Sequence, residues 1–146
     1  MVEPFHFDTR AIREELGLSQ SALAALVGIS VRAIQSYEQG WRRPSDMVRR
    51  VLLLLLIAHR NGNTMADTRC WDHKHCAPEI RDRCIAHLTH QGHLCWFFTG
   101  TMCEGVRMAS WSRKLLTCLE CSFMRRMLRL PAQAKELTGE DDDRPR

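Results

Sequence analysis

The chain has 146 residues, 45% of them hydrophobic, with a formal net charge of +4 and seven cysteines. That length accommodates one medium domain or two small ones, and that apolar fraction argues against wholesale disorder. The mild positive charge suits an anionic partner without demonstrating one.

The opening MVEPFHFD lacks the basic start and apolar run of a secretory signal. Thr9 to Leu16 places Ile12 and Leu16 at helical spacing, and Gly17 ends the run. Ser19 is an N-cap for a second helix closed by Gly28, with Leu23, Leu26 and Val27 as its apolar stripe. Ser30 caps a third helix, Val31 to Glu38, in which Ala33, Ile34 and Tyr37 point inward. A Leu-rich helix follows Pro44-Ser45, from about Asp46 to Arg60. Its run from Val51 to Ala58 is far below the roughly 20 residues a membrane span needs. The expectation is a cytoplasmic protein without a membrane contact.

Two short helices separated only by Gly28-Ile29-Ser30 form a helix-turn-helix arrangement. The features Leu18-Ser19-Gln20, Leu23-Ala24, Val27-Gly28-Ile29-Ser30, Ile34, Glu38-Gln39-Gly40 and Arg43-Pro44-Ser45 resemble the phage-repressor-like helix-turn-helix family, the XRE or Cro/C1 type. The resemblance covers about residues 9–60 and implies a bundle of four or five helices that binds an operator in double-stranded DNA. It also implies which residues meet DNA. Val31, Arg32, Gln35 and Ser36 face outward on the recognition helix, beside its cap Ser30. Arg32 suits guanine, Gln35 adenine, and Val31 a thymine methyl. Gln20, Gln39, Arg42 and Arg43 match positions that contact the DNA backbone, which sets register rather than sequence. A domain this small is expected to act as a homodimer on a palindromic site.

Composition changes after residue 60. The polar stretch 61–69 reads as a linker between a DNA-binding domain at 1–60 and a cysteine-rich domain at 70–130. Residues 131–146 read as a flexible acidic tail. The cysteines are Cys70, Cys76, Cys84, Cys95, Cys103, Cys118 and Cys121, and only the last pair has two-residue spacing. In a reducing compartment such a set points to metal, cluster or redox chemistry rather than disulfides. Soft thiolates suit an iron–sulfur cluster, with zinc as the alternative, and either would staple a segment with a modest core; thiol–disulfide switching without metal, and burial of the cysteines as small apolar residues, stay open beside them. His73, His75, His87, His90 and His93 are further possible ligands.

The Cys70-Trp71 pair recurs as Cys95-Trp96, and both tryptophans are placed to shield a site from water. With Cys76, Pro78-Glu79, Arg81, Cys84, Ala86, Gly92, Gly100-Thr101, Cys103, Cys118 and Cys121-Ser122-Phe123, this segment resembles the cysteine-rich two-CW domain. Such domains follow regulatory modules in bacterial proteins. Ile85 and His87 depart from the proline and aromatic residue of that pattern.

A helix is expected between Glu104 and Leu130, carrying Leu115, Leu116, Leu119, Phe123 and Leu128, with Arg125, Arg126 and Arg129 on a solvated face. The fold expectation is therefore mainly α: a helix-turn-helix bundle followed by a small, metal-stapled domain. The functional expectation is a transcriptional regulator, not an enzyme, with all seven cysteines as candidate ligands of a four-iron–four-sulfur cluster or zinc that senses redox state or metal. Two rivals stand beside it. One is a protein-interaction module with a structural zinc domain. The other is a thiol oxidoreductase using Cys118 and Cys121.

Overall fold

The computed structural model describes residues 7–130, apart from the side chains of residues 63, 65, 66 and 104. The acidic tail at 131–146 lies outside the described residues. The chain divides into two compact units between Asn63 and Thr64. A 3-10 helix, Gly62–Asp67, runs across the segment expected to be a linker. The described residues are mainly helical and form no strand; one isolated antiparallel bridge joins Thr101 and Met108.

The first unit is built from α1 (Thr9–Glu15), α2 (Gln20–Val27), α3 (Val31–Glu38) and α4 (Asp46–Asn61). Each start is set locally. The Asp8 carboxylate accepts from the backbone N–H of Arg10 and Ala11. The hydroxyls of Ser19, Ser30 and Ser45 accept from Ala22, Ala33 and Val48 at 3.0, 3.1 and 3.3 Å. Each such cap satisfies an amide that the first helical turn leaves without a partner. Gly28 ends α2 at φ 83°, a left-handed conformation that favours glycine.

Ile12, Leu23, Ala24, Ile34, Leu52, Leu53, Leu56 and Ile57 are buried and form the core. Complete burial of each large side chain contributes about 1.5–3 kcal/mol. The expected stripe on α2 is narrower than its spacing suggests. Leu26 is 56% exposed, because α3 and α4 cover only the Leu23–Ala24 side. Tyr37 is half-buried rather than fully inward.

The second unit contains three short helices, α5 (Cys70–Lys74), α6 (Pro78–Arg81) and α7 (Ile85–Leu88). Two longer ones follow, α8 (Trp111–Glu120) and α9 (Ser122–Met127). Trp96, Trp111, Leu115, Phe123, Met124, Met127 and Leu128 make its core. The indole N–H groups do not go unmatched: Trp111 donates to the carbonyl of Trp96, and Trp96 to that of His93. Where one helix was expected between Glu104 and Leu130, two form. Leu116 lies on the exposed side of α8 at 69%, away from Leu115. Arg125 corrects the expectation of a solvated basic face. It is only 4% exposed, on the same side of α9 as the core, while Arg126 and Arg129 remain exposed.

Candidate nucleic-acid interface and thiol-lined cavity

The recognition helix α3 presents Arg32 and Gln35 to solvent while Ala33 and Ile34 are buried. Val31 and Ser36 are half-buried on its flanks. Ser30 is exposed, but its hydroxyl is engaged in capping α3. Beyond the helix, Gln39, Arg42 and Arg43 are exposed. The turn is drawn back over the end of α3 by Trp41 N–H donating to Ser36 O at 3.0 Å. The Arg42 guanidinium carbon lies 5.8 Å from the Tyr37 ring centroid, within cation–π range. Gln39, Arg42 and Arg43 also border a surface depression shared with Arg49, a cation the sequence pattern did not single out.

Gln20 has a different setting. It is half-buried, and its amide nitrogen donates to Glu38 Oε2 at 2.6 Å. Arg13 donates through Nε and a terminal nitrogen to Glu38 Oε1 at 2.8 and 2.7 Å. The Glu38 side chain is completely buried. One carboxylate thus ties together α1, α2 and α3. Any DNA contact by Gln20 would come from an amide already held in place by this network.

Residues 10–48 match the helix-turn-helix family model. The N-terminal domain is a helix-turn-helix domain. That family is a DNA-binding regulatory domain, so the chain is at this general level a DNA-binding regulator. The match stops at residue 48 and does not reach the cysteines. Comparison with curated proteins found no match, and neither did comparison with solved structures. Among the described residues, no helix is long and apolar enough to cross a membrane.

Outside the helix-turn-helix domain, one feature dominates. Cys70, Cys76, Cys84, Cys95, Cys103, Cys118 and Cys121 all line a single cavity of about 60 Å³. The thiols arrive from α5, α8, the 3-10 helix Cys103–Gly105 and the connecting turns. Trp71 and Trp96 are part of the same wall, with Trp96 fully buried. Gly92 permits the closure that brings the two Cys-Trp pairs together. A Cβ there would lie 2.8 Å from the Trp71 ring and 2.9 Å from the Arg69 Cα.

The thiols are not equivalent. Cys95 donates to Cys70, which holds Cys70 below its ordinary range and Cys95 well above it. Burial raises Cys76 and Cys103, and pushes Cys118 up to about 12. Lys114 projects into this wall, and Lys74 Nζ lies 3.6 Å from Cys121 Sγ. Lys114 was not apparent as a site residue from the sequence. It stands three residues after Trp111 and four before Cys118, so helical spacing already put it on their face.

Of the five candidate histidines, His87 alone lines the cavity. Its ring meets Trp71 edge-on at 4.8 Å, and its Nδ1 is buried without a hydrogen-bond partner. His73 instead pairs with Ser122 Oγ at 3.0 Å. His75 and His90 are exposed, and His93 is half-buried, its pKa lowered by that burial. The donor set fits a soft metal in kind: seven thiols, one unsatisfied imidazole nitrogen and two aromatic shields around one space. As placed, no three His, Cys, Asp or Glu side chains among the described residues form a ready-made metal site.

Proposed function

We propose that this protein is a sequence-specific transcriptional regulator whose cysteine-rich unit binds an iron–sulfur cluster, or alternatively zinc, and senses redox state or metal. The observation that carries the reading is the convergence of all seven thiols on one cavity in a chain that also bears a helix-turn-helix domain. The cysteines are the ligand pool, and metal binding would draw ligands together from their present spacing, as metal sites commonly do on folding. The bound group would supply a state that changes with oxidation or occupancy. The protein's own part is to exclude water with Trp71 and Trp96 and to transmit the state to the DNA-binding unit.

Arg32 and Gln35 read bases in the major groove, with Val31 and Ser36 beside them, while Gln39, Arg42 and Arg43 hold phosphates. A homodimer would place two such helices on a palindromic operator. For the rival thiol oxidoreductase using Cys118 and Cys121, burial drives the Cys118 thiol up, away from the thiolate that a nucleophile needs.

Anaerobic purification with iron, sulfide and zinc analysis tests the metal. DNA binding by holo and apo protein, on an operator obtained by selection from random duplexes, tests the sensing. Iron with sulfide and a difference in operator affinity are expected. Equal affinity of the two forms would overturn the sensor. Stoichiometric zinc without colour would make the unit structural.

A further inference from the structure

Three of the four tryptophans belong to the cysteine-rich unit, where Trp96 and Trp111 are buried and Trp71 is half-buried. Trp41, in the helix-turn-helix domain, is the exception. It is 78% exposed, the most of any large apolar side chain among the described residues. A single exposed apolar residue needs no explanation; the setting of Trp41 is what singles it out. The backbone beneath it is fixed. Gly40 takes a left-handed φ of 77°. Its N–H donates to Tyr37 O at 3.2 Å, and Trp41 N–H donates to Ser36 O at 3.0 Å. This pair of bonds is a Schellman stop, in which the residue at the Trp41 position commonly packs an apolar side chain back onto the last turns of the helix. The positions it would pack on are Gln35 and Ser36, both polar and both on the face of α3 read above as DNA-contacting. The indole has no apolar seat there and stays in water beside that face.

The neighbours of Trp41 define the chemistry of a partner. Gln39, Arg42 and Arg43 flank it and are exposed. The nearest acid in sequence, Glu38, is completely buried and paired with Arg13. The next, Asp46, lies 3.7 Å from Arg49. A flat apolar ring set among cations fits a surface that alternates negative charge with apolar C–H groups. The sugar–phosphate strand of duplex DNA carries both within one nucleotide.

We propose that Trp41 is a DNA-contacting residue, its indole packing on deoxyribose of the strand that borders the groove entered by α3, beside the phosphates held by Arg42 and Arg43. The proposal rests on the DNA-binding reading of this domain and not on the metal. An apolar contact to sugar reads no base and displaces no counterion. Trp41 therefore adds affinity for every sequence alike and adds nothing to the salt dependence. That signature separates it from Arg32 and Gln35, whose loss affects single base pairs. It also separates it from Arg42 and Arg43, whose loss lowers the salt slope.

The test uses the full chain, a duplex selected from random sequences, and single-base variants of that duplex. Trp41→Ala removes the ring, Trp41→Phe keeps a smaller one, and circular dichroism follows folding. Trp41→Ala is expected to weaken binding roughly tenfold on all these duplexes with an unchanged salt slope, and Trp41→Phe to recover part of the loss. Acrylamide quenching supplies a second readout. DNA should shield a component of the wild-type tryptophan emission that Trp41→Phe lacks.

Wild-type affinity in Trp41→Ala would overturn the proposal while leaving DNA binding by the domain standing. A loss accompanied by a lower salt slope would overturn it too, because Trp41 would then act by placing Arg42 or Arg43. So would shielding of Trp41 that grows with protein concentration in the absence of DNA, which would assign the ring to a contact between two copies. If the wild type binds no duplex, the DNA-binding reading falls and takes the proposal with it. Should Trp41→Ala fail to fold, the quenching of wild type against Trp41→Phe decides: shielding by DNA supports the proposal, and its absence overturns it.

Discussion

Substituting Glu38 by alanine should unlock the first three helices of the helix-turn-helix domain. The Glu38 side chain is completely buried, and that of Arg13 is 16% exposed. The carboxylate accepts two hydrogen bonds from Arg13 and one from Gln20. Removing one member of a buried ion pair costs about 3–5 kcal/mol, because the partner is left charged and poorly solvated. Here the lower end applies. Water still reaches part of Arg13, and its other terminal nitrogen keeps a bond to Leu18 O at 3.0 Å. A loss of about 3 kcal/mol corresponds to roughly a hundredfold rise in the opening constant.

Two compact units make a single melting curve a poor readout. Amide hydrogen exchange resolves them. Protection across residues 9–38 should fall by that factor, while residues 111–127 are unchanged. The double substitution Arg13→Leu with Glu38→Leu should recover part of the loss, since no charge is stranded. A drop of less than about fivefold for Glu38→Ala would refute the claim that this carboxylate holds α1, α2 and α3 together.

Three further outcomes follow from other parts of the molecule. Gly92→Ala drives a Cβ into the Trp71 ring and the Arg69–Cys70 backbone; a loss of about 1–3 kcal/mol, confined to the cysteine-rich unit, should appear as faster alkylation of its thiols. In the helix-turn-helix domain, Arg32→Ala or Gln35→Ala should cost about 1–3 kcal/mol of discrimination at one base pair. Arg42→Ala or Arg43→Ala should instead weaken all sequences alike and lower the salt slope by about one; fluorescence anisotropy over a salt series separates the two patterns. Finally, the hydrogen bond from Arg60, at 2.7 Å, holds the Glu15 carboxyl below its usual value. A depressed carboxyl pKa gives stability that is present above the usual carboxylate range and lost as pH falls through the folded value. Acidification should therefore remove a contribution of under about 1 kcal/mol that Glu15→Gln lacks at every pH, as denaturant midpoints across the acid range would show.

The helix-turn-helix domain was legible because its instructions are local. Ser19, Ser30 and Ser45 stand immediately before helical runs, Gly28 supplies a left-handed stop, and Val31–Glu38 has the bounds its spacing predicts. The outward placement of Arg32 and Gln35 follows from the same 3.6-residue period. Leu26 shows where that reasoning ends. Periodicity says which residues share a face, but only the neighbouring helices determine how wide a face is covered, and Leu26 lies beyond their edge at 56% exposure.

The cysteine-rich unit was legible in composition and not in arrangement. Its sulfurs are separated by irregular intervals, so no local period brings them together. Their meeting depends on long-range closures such as Gly92 against the Cys70 backbone. Arg125 and Lys114 make the same point through charge. Both residue types are expected in water on sequence grounds, yet packing buries both. The sequence by itself determined a helix-turn-helix reader followed by a thiol-rich segment, because caps, spacing and residue chemistry act over a few residues. Only the tertiary structure decided that seven thiols share one cavity with a buried lysine, because that depends on which distant segments pack against one another.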